Sequence, residues 1–303
     1  MFKQYVYKLA FATIVLCVIT GTISILWPIG NSGIVEQSKT NNSSLTERYG
    51  KTPSGFWDGL HMYMGMGENS SLNVSDKPKK ARVAIVIDDF GQSNKEGIKE
   101  MMSINRPLTF AVMPNLENTY SEAVQAKEKG YEIIVHLPMQ PVNGKASWMG
   151  PGGITPDMKP NEIREKVVKD FAQVPQAVGF NNHMGSLITS KEELMRPILE
   201  VAKEKGFFVL DSRTCENSKV ISLAQSMGIP CAKRDVFLDE VKSSEHMKKQ
   251  LKLLAKEALA KGSAISIGHV GQGGKKMAQA ISEMIPVMEE QGIEFVYLSK
   301  LVH

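Results

Sequence analysis

From Ala81 to the end of the chain, short apolar runs alternate with longer amphipathic segments, and this order constrains the fold more than any other feature. The apolar runs are rich in β-branched residues, whereas the segments between them have the apolar spacing of helices. Strict alternation of strand and helix predicts a mostly parallel sheet, either open and doubly wound or closed into a barrel. The predicted strands lie at 83–88, 108–112, 132–136, 177–180, 207–210, 264–268 and 295–298, with a weaker one near Cys231.

Helices are predicted at 118–129, 161–171, 191–205, 243–260 and 275–291. Four of these segments are followed by a glycine, at Gly130, Gly206, Gly262 and Gly292. A glycine at this point favours a left-handed C-cap before the chain enters the next strand. The glycines therefore support the predicted helix ends independently of the apolar spacing.

Polar residues that can carry chemistry follow several of the predicted strands. The pair Asp88-Asp89 closes the first strand, and His136, His183 and His269 each stand at the end of a later one. In a barrel every carboxyl-terminal strand end faces one mouth, whereas an open sheet brings together only the ends beside its switch point. If these groups form one site, a barrel is the simpler arrangement.

The acidic pair has two interpretations. Neighbouring carboxylates repel one another unless a cation or a shared proton relieves them, which indicates a metal site. Asp is also a good N-cap and first-turn residue, so Asp88 and Asp89 would equally suit the start of a helix. The pair by itself does not decide between a metal site and a helix cap.

The three histidines add a chemical pattern to the acidic pair. Two neutral imidazoles and one carboxylate, with a fourth position left for water, form the usual catalytic zinc site. A second carboxylate outside the coordination shell can act as general base, and a third histidine can protonate a leaving group. Asp88, Asp89, His136, His183 and His269 supply this full set. The expected cofactor is therefore a divalent metal ion, with zinc as the first choice.

These motifs resemble those of the polysaccharide deacetylases of the NodB-homology type, and most closely those of their divergent, YibQ-like branch, over residues 83–301. The sequence IDDFG at 87–91 resembles the first motif, which implies that Asp88 is the catalytic base and Asp89 a metal ligand. The sequence IGH at 267–269 resembles the last motif, whose histidine is the general acid, and this assigns that role to His269.

The middle motifs depart in part from the common pattern. The sequence EIIVHLPMQ at 132–140 resembles the second motif, which usually has two metal-binding histidines four residues apart. His136 occupies the first of these positions, but Gln140 occupies the second. The sequence NNHMGS at 181–186 is typical of the divergent branch, and the resemblance makes His183 the candidate for the missing ligand.

The resemblance implies an α/β fold, an irregular (β/α) barrel of about seven strands, and a metal-dependent hydrolase. The sequences DSRT at 211–214 and RDVFLD at 234–239 also resemble the divergent branch, which adds Asp211 and Arg213 to the implied catalytic residues. The implied substrate is an acetylated sugar in a cell-envelope or extracellular polysaccharide, from which the enzyme removes acetyl groups. The alternative is a non-catalytic glycan-binding or regulatory envelope protein on the same fold.

The first eighty residues have a different composition from the rest. Residues 9–27 carry no charge and follow Lys3 and Lys8, which predicts a single membrane span with the N-terminus in the cytoplasm. We expect a membrane anchor at 1–30, a polar linker at 31–80, and a domain at 81–303 that is exported to the periplasm or cell surface. A cleaved signal peptide, which would make the protein a secreted one, is the competing interpretation.

Other partners are not expected. The 303-residue chain has a net charge of only +4, which argues against nucleic acid as a partner. The Gly-rich loop at 268–276 lacks the spacing of known nucleotide-binding loops and is interpreted as a rim whose backbone amides approach the substrate. Cys215 and Cys231 have no metal-binding spacing, and whether they form a disulfide is left open.

Overall fold

A computed structural model describes residues 80–92 and 96–303 of the chain. The predicted membrane anchor and almost all of the predicted linker lie outside these residues. Within them, all strands belong to one parallel sheet of nine strands. The strands are β1 Ala81–Phe90, β2 Thr109–Val112, β3 Glu132–Met139, β4 Gly179–Met184, β5 Phe208–Asp211, β6 Cys231–Lys233, β7 Val236–Phe237, β8 Ser263–His269 and β9 Ile293–Phe295.

Helices cover the outer face of the sheet. They are α1 Ile98–Met101, α2 Thr119–Glu128, α3 Pro160–Ala172, α4 Glu192–Lys205, α5 Val220–Ser226, α6 Ser244–Lys261 and α7 Gly274–Glu290. Five of them confirm the predicted helices, and the glycines that follow α4 and α6, Gly206 and Gly262, have the predicted left-handed conformation. The short elements α1, α5 and β7 were not predicted, because two to seven residues are too few to show a period.

The sheet is curled, but it does not close. Its strand order is β6-β5-β4-β3-β2-β1-β8-β7, with β9 paired to β1, and no hydrogen bond joins β6 to β7 among the described residues. The two-residue link Arg234-Asp235 spans this gap instead. The backbone N of Arg234 donates to Asp211 O over 3.0 Å, and the backbone N of Asp235 donates to Ile265 O over 2.8 Å. The sheet therefore differs from the predicted seven-stranded barrel in strand number and in closure.

Two apolar cores lie on either side of the sheet, because successive strand residues point to opposite faces. The larger core packs the outer face against the helices. The smaller one fills the inside of the curl with residues such as Val86, Ile134 and Ile267, and Leu298 and Leu301 from the end of the chain pack against them. Further along the same inner rows stand polar residues at the carboxyl-terminal strand ends: Asp88, His136, Asn181 and His269.

The Gly-rich loop has a packing role. Gly274 begins α7, and a side chain at Gly274 would overlap the backbone of Glu96 and Gly97, which passes directly against it. Gly271 N also donates to Glu96 O over 2.8 Å. The glycines therefore allow two backbone segments to touch, whereas an approach of this loop to substrate stays a prediction.

Two further observations concern the cysteines and the helices of the described residues. Cys215 and Cys231 are free thiols, and Cys231 is buried, so the two do not form a disulfide. No helix within residues 80–92 and 96–303 has the length and apolar character needed to cross a membrane.

Candidate functional site

Both carboxylates of the acidic pair reach the same site because β1 is irregular at its end. The pairing of β1 with β2 shifts between Ile87 and Phe90, and Asp89 has a φ of 73°. A left-handed conformation is uncommon for a residue other than glycine and costs of the order of 1 kcal/mol. As a result Asp88 Oδ2 lies 3.6 Å and Asp89 Oδ1 lies 3.5 Å from His136 Nε2. The helix-cap interpretation does not apply, since β1 continues to Phe90.

Three ligand-type atoms form a small triangle at this strand end. His183 Nδ1 lies 3.0 Å from His136 Nε2 and 3.3 Å from Asp89 Oδ1, and the third side of the triangle is 3.5 Å long. Ligand atoms that surround a tetrahedral zinc ion at 2.0–2.1 Å are separated by about 3.4 Å. The spacing of Asp89, His136 and His183 therefore suits a metal ion of this kind.

The hydrogen bonds around His136 fix its tautomer. The amide of Asn181 donates from Nδ2 to both oxygens of Asp88, at 3.0 and 3.1 Å. Its Oδ1 consequently faces His136 Nδ1 at 2.8 Å, and an amide oxygen can only accept. His136 must therefore carry its proton on Nδ1, which leaves the lone pair of Nε2 directed at the triangle.

His183 has the opposite tautomer. Its Nε2 lies 3.1 Å from the backbone oxygen of Trp148, which again can only accept, so Nε2 carries the proton and Nδ1 has the lone pair. Two imidazole lone pairs thus face each other over 3.0 Å beside a carboxylate oxygen. Three electron-rich atoms at this separation repel one another unless a cation or a proton lies between them.

The pKa values of Asp89 and His136 indicate that the site favours a cation. Burial would raise the pKa of Asp89, but its contacts with the His136 and His183 imidazoles hold it well below the usual range for a carboxyl group. Burial likewise opposes protonation of His136, yet Asp88 and Asp89 raise the pKa of this imidazole above its ordinary value. Negative charge therefore dominates the triangle, and it attracts either a proton or a metal ion.

Asp88 differs from its neighbour in environment. Its side chain is almost completely buried, and burial raises its pKa despite the opposing effects of His136 and His269. Asp88 pairs with His269 in the register of β1 and β8, so the two side chains stand on adjacent strands of the same inner face. A carboxylate with a raised pKa at this position has the properties of a general base.

His269 is held by a buried carboxylate that the sequence did not identify. Asp239 Oδ1 lies 3.0 Å from His269 Nδ1, and Asp239 Oδ2 accepts from Lys242 Nζ over 2.7 Å. Burial would lower the pKa of His269, but the hydrogen bond and charge of Asp239 raise it to about 8. The imidazole is therefore largely protonated at neutral pH, as a general acid has to be.

A family model described as divergent polysaccharide deacetylase matches residues 85–302. The chain belongs to this family. It is similar to a protein of Haemophilus influenzae, with 33% identity over 66% of this chain and 71% of the relative, and to Escherichia coli YibQ, with 31% identity over 65% of this chain and 61% of the relative. Both relatives are named as uncharacterized proteins.

A crystal structure of an uncharacterized Agrobacterium tumefaciens C58 protein has a similar fold. Its TM-score against this chain is 0.68, with 21% identity, and the match covers 75% of this chain and 91% of the other. This protein therefore shares the curled parallel sheet with helices on its outer face. Such a fold is of the α/β kind that the sequence motifs implied.

Two residues with predicted catalytic roles lie further from the triangle. Asp211 Oδ1 accepts from the backbone N of Arg213 over 2.8 Å, and the Arg213 side chain donates to the backbone oxygen of Arg234 over 3.4 Å. Among the residues that the structure describes, neither Asp211 nor Arg213 makes a hydrogen bond or ion pair with Asp88. Asn181 donates to Asp88 instead. Catalytic roles for Asp211 and Arg213 stay predictions.

Asn181 and Asp239 are the site residues that sequence reasoning missed. Asn181 belongs to the motif at 181–186, two residues before His183. Nothing in that motif indicates that Asn181 orients His136 on the neighbouring strand instead. Asp239 lies thirty residues before His269, so only the fold pairs them. His183 on β4 lies beside His136 on β3, and its role as the ligand in place of Gln140 stays a prediction.

Replacing Asn181 by alanine is expected to lower metal affinity about 10–100-fold, the usual cost of losing a residue that orients a metal-binding histidine. The physical reason is that His136 loses the acceptor that fixes its tautomer, and Asp88 loses its donor. Zinc titration against a competing chelator measures the change. Asn105→Ala, at an exposed position, is the matched control. Unchanged affinity in Asn181→Ala would contradict the orienting role.

Proposed function

We propose that the chain is a metal-dependent deacetylase that removes acetyl groups from an acetylated sugar of a cell-envelope or extracellular polysaccharide. The observation that carries this proposal is the convergence of three lone-pair atoms, from Asp89, His136 and His183, beside a buried carboxylate and a protonated histidine. Membership of the divergent polysaccharide deacetylase family supports the choice of substrate class.

Asp89, His136 and His183 would hold the metal ion, and zinc fits their donor set best. Imidazole nitrogen and a single carboxylate oxygen are borderline ligands that suit zinc, whereas calcium and magnesium prefer sites made of oxygen alone. When bound, the metal supplies Lewis acidity, which polarises the acetyl carbonyl and lowers the pKa of the attacking water. Three protein ligands leave the open position that a catalytic site requires.

The remaining residues would move protons on either side of the acetyl group. Asp88 would take the proton of the water as its oxygen bonds to the acetyl carbon. His269, on the adjacent strand, would donate a proton to the sugar nitrogen, or to the sugar oxygen of an ester, as the bond to the acetyl carbon breaks. The products are acetate and the free amine or hydroxyl. Asn181 would keep Asp88 aligned throughout.

An open cavity beside the triangle offers room for a sugar. It has a volume of about 630 Å³, and its walls include Asp89, His183 and Trp148. Trp148 is 59% exposed, and its backbone oxygen accepts a hydrogen bond from His183. A broad aromatic face beside a polar site is a common feature of ligand-binding clefts.

Acetate release from N-acetylated chito-oligosaccharides and from peptidoglycan fragments tests the proposal. Activity is expected with one bound zinc ion per chain, to be lost with a chelator, and to return when zinc is added. Binding of glycan without acetate release in the zinc-loaded chain would contradict the proposal and favour a non-catalytic glycan-binding protein.

The pH dependence of activity should report His269. Because the acid must be protonated and its pKa is about 8, kcat/KM is expected to fall as the pH rises through about 8. Asp239→Asn removes the largest of the contributions that raise this pKa, so the alkaline limb is expected to move to lower pH. Lys242→Ala, which leaves the Asp239–His269 pair in place, is the control. An alkaline limb that stays near 8 in Asp239→Asn would exclude His269 as the acid.

We also propose that residues 9–27 anchor the protein in a membrane and that the family domain is exported. The uncharged run and the lysines before it support this proposal. An exported domain would meet the envelope glycans that the proposed reaction requires.

A further inference from the structure

The described residues include a second polar cluster, formed by Arg213 and Arg234, at the gap between β6 and β7. Arg234 belongs to the two-residue link that spans this gap, and Arg213 follows β5. Each guanidinium donates to backbone oxygens: Arg213 Nη1 to Arg234 O at 3.4 Å, Arg234 Nε to Ser212 O at 2.9 Å, and Arg234 Nη2 to Arg213 O at 3.3 Å. Main-chain groups therefore hold the two cations side by side.

Neither arginine forms an ion pair with a carboxylate of the described residues. Among the described residues, no ion pair within 4.0 Å involves Arg213 or Arg234, whereas arginines elsewhere, such as Arg106 and Arg164, do form such pairs. Burial and the charge of Arg213 both lower the pKa of Arg234, while Asp211, Asp88 and Glu240 act on it from a longer distance. Two adjacent positive charges repel one another, and an anion bound between them would relieve this repulsion.

The backbone is strained in a way that presents these groups. Arg213 has a φ of 53°, and Asp211 Oδ1 holds this turn by accepting from the Arg213 backbone N. A left-handed backbone conformation at a residue other than glycine costs of the order of 1 kcal/mol, and it persists where the surroundings enforce it. Asp211 is buried, and its hydrogen bond with the Arg213 backbone N positions Arg213.

The pair lies close to the catalytic groups. The Arg234 guanidinium stacks on the ring of Phe237 at 4.8 Å, and His269 meets the same ring edge-on at 5.4 Å between centroids. Ser212, which accepts from Arg234 through its backbone oxygen, also accepts from Asn181 through Oγ, and Asn181 holds Asp88. The ring of Phe237 therefore lies between Arg234 and the proposed acid His269. Ser212 and Asn181 connect Arg234 to the proposed base Asp88.

We propose that Arg213 and Arg234 form a subsite for an anionic group, a carboxylate or phosphate, carried by the glycan next to the acetylated sugar. The planar forks of arginine match both oxyanions and discriminate against neutral hydroxyl groups. The proposal rests on the proposed function, and it narrows the substrate class from acetylated glycans in general to acidic ones.

Equilibrium binding to the full chain tests the subsite with three tetrasaccharides. These are neutral N-acetylated chitotetraose, the same compound with a 6-phosphate, and a peptidoglycan tetrasaccharide whose muramic acid residues carry carboxylates. We expect one or both anionic ligands to bind at least about tenfold more tightly than the neutral one, the size of one charge-assisted hydrogen bond. The better of the two identifies the anion, and added salt should reduce the difference.

Arg234→Gln and Arg213→Ala are each expected to lower this preference for the anionic ligand about tenfold. Lys252→Ala, which removes one positive charge from an exposed position of α6, should keep it. Equal affinity for all three ligands, or a preference that survives both arginine substitutions in folded protein, would overturn the subsite.

Acetate release measured in parallel separates this inference from the proposed function. Hydrolysis of all three ligands without a charge preference would reject the subsite and leave the deacetylase intact. A charge preference that depends on the arginines, without acetate release, would support the subsite and count against the proposed hydrolysis.

Discussion

Asp88→Asn is expected to lower kcat for acetate release by about a thousandfold, within the range that loss of a general base usually costs. An amide cannot take the proton of the attacking water, and no other carboxylate accepts from Asn181 in the described part of the chain. The substitution is nearly isosteric, and its oxygen can still accept from Asn181. The triangle of Asp89, His136 and His183 should therefore bind zinc as before.

Two measurements make this expectation decisive. Zinc content per chain is compared between the wild type and Asp88→Asn, and kcat is then measured on samples of equal content. Asp157→Asn, a carboxylate-to-amide change at an exposed position, is the control and should keep full activity. Equal kcat values for wild type and Asp88→Asn at equal zinc content would remove Asp88 from the mechanism.

His183→Ala is expected to abolish stoichiometric zinc binding and, with it, acetate release. Loss of a residue that only orients a ligand costs about 10–100-fold in metal affinity, so loss of the ligand itself should cost more than 100-fold. After the substitution only His136 and Asp89 remain of the triangle, and two ligands do not make a zinc site. Zinc analysis after dialysis and competition with a chelator measure the change.

The control for this experiment is His246→Ala, since His246 lies on α6 and its side chain contacts Gln250 of the same helix. It removes an imidazole without touching the triangle. Zinc retained by His183→Ala at the affinity of the wild type would show that another residue completes the site. Gln140, in the position of the usual second histidine, would then be the first residue to substitute.

The order of the elements could be predicted from the sequence because each strand and helix of normal length carries its own apolar period. The same reasoning found Asp88, Asp89 and the three histidines, since active sites on alternating β/α folds form at carboxyl-terminal strand ends. It failed for the closure of the sheet. The link Arg234-Asp235 bonds to Asp211 and Ile265, and no local pattern encodes these two distant contacts.

The sequence by itself determined which chemical groups stand at the strand ends of this protein: an acidic pair and three histidines. The tertiary structure decided how they are used. Strand alternation would send Asp88 and Asp89 to opposite faces, and the register shift with the left-handed Asp89 places both beside His136. Likewise Asn181 sets the tautomer of His136, and Asp239 raises the pKa of His269. Both properties depend on neighbours in space, which only the fold brings together.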